Sequence, residues 1–259
     1  MTSGFDVAGA PANAIFEKAV ETLIRKSEHA EFVDRPIDWS LSPVRPRWTT
    51  RRSYVQSVSQ LLHAERLTGR ACAQLAGALG QPTANRFIDF QARDETRHAA
   101  MYSRYLASLG DVAPMDGVLA DVFEEALGWR DSVAATMVAF NVVLEGEAVH
   151  LHGATLRAFP CPLFHRITSE VGRDEARHTA FGRLYLTRLL APLETEERRA
   201  IYHDVRALWR AVARPEAGDG RGGAIMRRAW RGYMDRRWRT HCRTFERIGL
   251  IRHGEDFDR

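Results

Sequence analysis

Lysine is almost missing from this chain. Lys18 and Lys26 are the only two, so nearly all the positive charge is arginine. A protein that grips nucleic acid by charge gathers a large cationic excess. Here the net charge is only +4 and the sequence pI about 9.2. Nucleic acid is therefore not the expected partner. The one dense stretch, RRAWRGYMDRRWRTHCR at 227–243, reads as an amphipathic helix. Its Trp230 and Met234, with Phe245 just beyond, are expected to pack inward. The alternative for this stretch is a docking face for an acidic protein.

Cysteine is scarce as well. Cys72, Cys161 and Cys242 lack metal-type spacing, which excludes a disulfide framework and suits the reducing cytoplasm. No apolar run approaches the roughly 18 to 20 residues of a membrane helix, so no membrane role is expected. The first residues, MTSGFDVAGAPANA, lack the basic start and compact apolar core of a signal peptide. Alternating apolar and polar runs joined by hairpin turns are missing too, which leaves an all-α reading. No loose polar linker interrupts the 259 residues, so one domain over 1–259 is expected.

Helical signals fill the space. A first amphipathic helix is expected over 13–30, then an irregular stretch, RPIDWSLSPVRPRW. Four long segments follow, over about 50–79, 83–110, 131–159 and 163–190, with a shorter helix at about 116–128. Gly80 and Pro82 are read as the stop after the first long segment, and Thr83 as the N-cap of the second. Two more helices, about 195–213 and 224–248, flank the glycine-rich loop RPEAGDGRGG. The core bundle thus covers about 50–190, with 1–49 wrapping it and 195–259 following as C-terminal helices.

Within this frame the chain repeats itself. RDETRHAAMY begins at Arg93 and RDEARHTAFG at Arg173, an offset of 80 residues. The same offset carries Glu65 onto Glu145 and Pro82 onto Pro162. Each half has a glutamate 30 residues before a Glu-x-x-His turn. Residues three apart share a helix face, so Glu95 with His98, and Glu175 with His178, each present an oxygen and a nitrogen donor together. Apolar residues on the same stripes turn these faces inward. Four uncompensated buried carboxylates would consume the stability of a domain, so cations are expected among them. The ligand set read from the repeat is Glu65, Glu95, His98, Glu145, Glu175 and His178, in an arrangement known for di-metal helical bundles. Glu147, about 200° from Glu145 around the helix, is the alternative ligand. His150 and His152 lie on the same segment, and His152 reads either as a satisfied core histidine or as a cavity residue. Asp94 is expected to support His178, and Asp174 to support His98, because a metal-bound imidazole usually donates its other N–H to a carboxylate. Arg97 and Arg177 either balance those aspartates or face solvent.

At these residues the chain resembles the ferritin-like di-iron carboxylate oxidases and oxygenases. The resemblance covers about 50–190 and lies nearest the branch of ribonucleotide reductase small subunits, acyl-carrier-protein desaturases and multicomponent monooxygenases. DETRH and DEARH are similar to the paired turns of monooxygenases and desaturases. LEG at 144–146 is similar to the reductase subunits, and HGAT at 152–155 to the desaturases. The resemblance implies a ferritin-like four-helix bundle with added N- and C-terminal helices, holding two iron ions with Glu95 and Glu175 as bridges. Manganese suits the same donors. It further implies O2 as co-substrate and oxidation of a small organic or carrier-tethered substrate by hydroxylation, N-oxygenation or desaturation. Electrons would come from an external ferredoxin or reductase, since no flavin or nicotinamide fingerprint is present. A homodimer is left open. Tyr102, four residues after His98, matches the radical tyrosine of the reductase subunits and is a candidate redox residue. Val149 stands where hydroxylating monooxygenases have threonine. A radical-generating oxidase and a non-enzymatic iron-binding or storage protein are the rival readings.

Overall fold

A computed structural model of the chain describes residues 10–32, 37–129, 132–213 and 221–258. Its regular secondary structure is helical, with no strand among the described residues. The helices are α1 (Ala10–Phe32), α2 (Arg51–Leu75), α3 (Pro82–Ala107), α4 (Gly117–Gly128), α5 (Val133–Met137), α6 (Glu145–Ala158), α7 (Pro162–Leu189), α8 (Thr195–Val212) and α9 (Arg221–Ile248). A π-helical segment, Val138–Leu144, joins α5 to α6. The chain divides into two compact units, one of Met1–Asp116 with Leu144–Phe181, the other of Gly117–Val143 with Gly182–Arg259.

In the first unit, local chemistry sets where each helix begins and ends. Thr50 caps α2 by accepting a hydrogen bond from the Ser53 amide. α2 stops at Leu75, earlier than Gly80 suggests, because Gly77 takes a left-handed φ of 77° and turns the chain. Asn85 secures that turn: its Oδ1 accepts from the amides of Gly77 and Leu79, and its Nδ2 donates to the Leu79 carbonyl. Thr83 is not the cap of α3. Pro82 occupies the first turn, Gln81 precedes it, and the Thr83 hydroxyl donates to Glu17 on α1. Pro162 likewise opens α7, where the Cys161 sulfur accepts from the Phe164 amide. The core between α2, α3 and α7 includes Leu62, Tyr102, Tyr105, Phe164 and Ile167, all at 1% exposure or less. Each such apolar side chain contributes about 1.5–3 kcal/mol on burial.

The second unit is built around α8 and α9. A reciprocal capping box between Glu194 and Glu197 starts α8. Arg198 is fully buried and donates to both oxygens of Glu255 and to the Leu250 carbonyl. Tyr202, Trp238, Phe245 and Phe257 pack edge to face nearby. Among the described side chains of α9, the inward stripe begins at Met234, one turn later than Trp230, where the sequence places it. Trp230 is exposed and stacks on Tyr233. The glycine-rich loop is shorter than expected, since α9 already includes residues 221–223, and 214–220 lie outside the described residues.

One further expectation needs correction. The stretch Val133–Ala154 has 22 residues and contains an 18-residue window of mean hydropathy 1.2, long and apolar enough by length and composition to cross a membrane. Its most apolar window is 61% buried inside the protein, and it carries Asn141 and Glu145, both buried. Interruption by polar residues hides this run from a search for unbroken apolar sequence.

Candidate metal centre

Four helices of the first unit bring six side chains together: Glu65 from α2, Glu95 and His98 from α3, Glu145 from α6, and Glu175 and His178 from α7. All six are buried, and they form two groups in which the donor atoms lie within 4.8 Å of one another. Around His98 Nδ1 stand Glu65 Oε2 at 3.3 Å, Glu175 Oε1 at 3.4 Å and Glu95 Oε2 at 3.7 Å. Around His178 Nδ1 stand Glu175 Oε2 at 3.0 Å, Glu95 Oε1 at 3.3 Å and Glu145 Oε1 at 3.6 Å. Glu95 and Glu175 thus turn one oxygen to each imidazole, while Glu65 and Glu145 serve one group each. The two imidazole centroids are 6.2 Å apart.

Local structure explains this convergence. On α3 and α7 the three-residue spacing puts glutamate and histidine on one face. Glu145 is the first residue after the π-helical segment, and such wide turns shift the inward register and recur at functional sites. Glu147, two residues on, is only half-buried and belongs to neither group; His150 is half-buried too.

The outer ring nitrogens meet the aspartates crosswise. His98 Nε2 is 3.0 Å from Asp174 Oδ2, and His178 Nε2 is 3.2 Å from Asp94 Oδ2. An Nε2–H donated to each aspartate leaves Nδ1 as the free donor atom, aimed at the carboxylates. Arg97 and Arg177 each donate to both aspartates, Arg177 reaching Asp94 at 3.4 Å. Neither arginine simply faces solvent. With the aspartates they form a closed quartet of two positive and two negative charges.

Inside that quartet four glutamates remain. Both oxygens of Glu95, at 1% exposure, lack a hydrogen-bond partner. A buried ionised carboxylate without compensation costs several kcal/mol. Two divalent cations would cancel the four negative charges and complete the coordination of Glu95, so the residues fit a metal pair. A donor set of carboxylates and two imidazoles suits iron or manganese.

The electrostatics without ions point the same way. Burial, with Glu175 close by, raises Glu65 and Glu145 well above the usual carboxylate range. Burial also opposes charge on Glu95 and Glu175, but the nearby imidazoles hold Glu95 low, and Glu145, followed by the imidazoles, holds Glu175 low. For His98 and His178 burial works against the imidazolium, and the surrounding carboxylates outweigh it, so both are raised well above their ordinary value. The cluster therefore retains protons where it would otherwise hold cations.

Three neighbours complete the picture. Tyr102 is fully buried, and its hydroxyl lies 3.0 Å from His152 Nε2. His152 is buried, its Nδ1 has no partner, and burial pushes its pKa down to about 4. Gln91, absent from the sequence-based site, donates from Nε2 to Glu145 Oε1 at 2.9 Å. Its signal was available: it lies four residues before Glu95, on the same face of α3.

No protein-family model matches the sequence, and no curated protein does. Solved structures do resemble the fold. A tyrosine-to-phenylalanine variant of an R2-like ligand-binding oxidase with an aerobically reconstituted Mn/Fe cofactor aligns with a TM-score of 0.67 and 18% identity, over 88% of this chain and 93% of that one. The R2-like ligand-binding oxidase from Sulfolobus acidocaldarius aligns with a TM-score of 0.61 and 15% identity, over 90% of each chain. Another R2-like ligand-binding oxidase with an Mn/Fe cofactor covers 100% of this chain at 16% identity and a TM-score of 0.62. These likenesses establish the fold as the ferritin-like helical bundle.

Proposed function

We propose that the protein is an O2-dependent oxidase holding two iron ions, or iron paired with manganese, and acting on a small organic or carrier-tethered substrate. The observation that carries this reading is the sharing of Glu95 and Glu175, each with one oxygen toward His98 and one toward His178. Glu95 and Glu175 would contribute to holding both cations, Glu65 and His98 to one, and Glu145 and His178 to the other. The Mn/Fe cofactors of the structural neighbours support the same choice of ions. When bound, such a pair supplies joint O2 binding and the redox equivalents for oxidation.

The chain's own residues have definable parts in this reading. His98 and His178 offer Nδ1, while Asp174 and Asp94 hold their Nε2 protons and fix ring orientation. The imidazoles hold both aspartates below the usual carboxylate range, and Arg97 and Arg177 donate to them from the other side. Tyr102, four residues after His98, is an oxidisable side chain whose hydroxyl is hydrogen-bonded with His152. Hydroxylation, N-oxygenation and desaturation all belong to this class. An external donor such as a ferredoxin or reductase delivers the electrons. A cytoplasmic setting is part of the proposal, supported by three free cysteines.

The test is anaerobic Fe(II) loading followed by exposure to O2. The native chain is expected to hold two ions and give a transient optical change, and Glu95→Ala to give neither. Uptake of one ion or none by the native chain would overturn the reading, as would a transient in Glu95→Ala equal to that of the native chain. Many ions per chain would favour storage instead.

A further inference from the structure

The internal repeat has a break in it. The offset of 80 residues matches Glu65 with Glu145, Asp94 with Asp174, Glu95 with Glu175 and His98 with His178, but it matches Gln91 with Val171. Both odd members are buried, at 1% and 0% exposure. One half of the centre therefore has an amide where the other has a hydrocarbon.

We infer that Gln91 makes the two cation positions unequal, and that the position of Glu145 and His178 is the tighter. This rests on the reading of the site as a metal pair. Gln91 Nε2 donates to Glu145 Oε1, the oxygen that faces His178 Nδ1 at 3.6 Å. A carboxylate oxygen has lone pairs for both an amide and a cation, so Glu145 keeps this hydrogen bond with an ion in place. Glu65 differs. Its hydrogen-bond partner among the described residues is His98 Nδ1, at 3.3 Å. That is the same nitrogen that must turn to the ion, so Glu65 loses its tether on loading and must be ordered by the metal alone. Val171 offers no donor to replace it. Ordering a long side chain costs conformational entropy that Gln91 has already removed for Glu145.

Anaerobic titration of the full chain with Mn(II) alone, followed by the electron paramagnetic resonance of the free ion, tests this. The native chain should show two unequal steps, and His178→Ala should abolish the tighter one. Gln91→Leu should weaken the tighter step about 10- to 100-fold, the usual effect of removing a ligand's supporting partner, and leave the weaker step in place. Val171→Gln, which offers an amide on the Glu65 side, should tighten the weaker step. Equal native steps would overturn the inference, as would a Gln91→Leu shift in both steps or in the weaker alone. If Gln91→Leu loses its helical circular dichroism, the native steps and Val171→Gln decide. Fewer than two ions in the native chain would sink the metal-pair reading itself. Two ions with an unmoved tight step in folded Gln91→Leu would sink only the role of Gln91.

Discussion

Loading the centre with metal should expel protons, and the structure indicates how many. Without ions, four buried glutamates face two imidazoles inside a charge-balanced quartet of aspartates and arginines. His98 and His178 are raised well above their ordinary value, so both are imidazolium near neutrality. Glu65 and Glu145 are raised by burial, whereas Glu95 and Glu175 are held low. Divalent ions need neutral imidazole and ionised carboxylate, so binding displaces two protons from the histidines and up to two more from Glu65 and Glu145. Each displaced proton changes the apparent free energy of loading by about 1.4 kcal/mol per pH unit. The pair should therefore bind more favourably by about 3 to 5 kcal/mol for each unit of rising pH, until the groups ionise unaided.

The sign is fixed: acid weakens loading, because the folded protein without ions binds more protons than the loaded one. Anaerobic Mn(II) addition in weakly buffered solution with a pH indicator counts the protons directly. Titrations at about pH 6 and about pH 7.5 give the slope independently. Release of fewer than two protons per pair, or an affinity unchanged across that range, would refute the electrostatic description of the cluster. His98→Ala should remove one ion, and with it the His98 proton and any proton displaced from Glu65.

Three other outcomes follow from the packing. A Cβ added at Gly182 would lie 2.5 Å from the Asn141 Cβ, with the Asn141 backbone oxygen at 3.3 Å, so Gly182→Ala should lower stability by about 1–3 kcal/mol in thermal or urea unfolding. A variant as stable as the native chain would mean the two helices separate without cost. Glu255→Ala leaves the buried Arg198 guanidinium without its carboxylate and should cost about 3 kcal/mol. Because Arg198 holds Glu255 down to about 2, that contribution is present above its ordinary value of 4.5 and fades as pH falls toward 2; an acid unfolding curve unchanged by the substitution would contradict it. His152, held neutral down to about 4, makes the fold lose up to about 3 kcal/mol as pH falls from 6.5 to 4, since the unfolded chain takes up the proton first. His152→Gln, which can still bond Tyr102, should flatten that part of the stability profile.

Much of the centre was legible because the repeat fixes both spacing and face. Two Glu-x-x-His turns with matching upstream glutamates locate all six clustered residues without any structure. Helix ends were legible where proline or threonine sits at the first turn, as at Pro162 and Thr50. They were not where a side chain elsewhere decides. Gly77 rather than Gly80 ends α2 because Asn85, six to eight residues on, satisfies the turn. Trp230 looked like core by spacing, but a periodic stripe does not show where along a helix its partner begins. The π-helical segment Val138–Leu144 left no signature either, since its residues are as apolar as those of an ordinary buried helix. Gln91 was overlooked for a different reason: comparing the halves for what they share draws attention away from the positions where they differ, Gln91 and Val171 among them.

The crosswise support of the histidines follows from one spacing and one direction. Asp94 and His98 are four residues apart, as are Asp174 and His178, so each pair is stacked one turn apart on its helix face. Were α3 and α7 parallel, a level pairing would set histidine against histidine and aspartate against aspartate. The contacts His98 to Asp174 and His178 to Asp94 require the reverse, with the helices antiparallel at this level. Each histidine then depends on the opposite half of the repeat for its orientation. Glu95 and Glu175, one residue after each aspartate, fall between the two imidazoles and reach both. A change such as Asp94→Asn should therefore disturb the position of His178 before that of His98, although Asp94 and His98 share a helix. Bridging and cross-support are two consequences of placing the same five-residue turn on two opposed helices, and neither half can form its site alone.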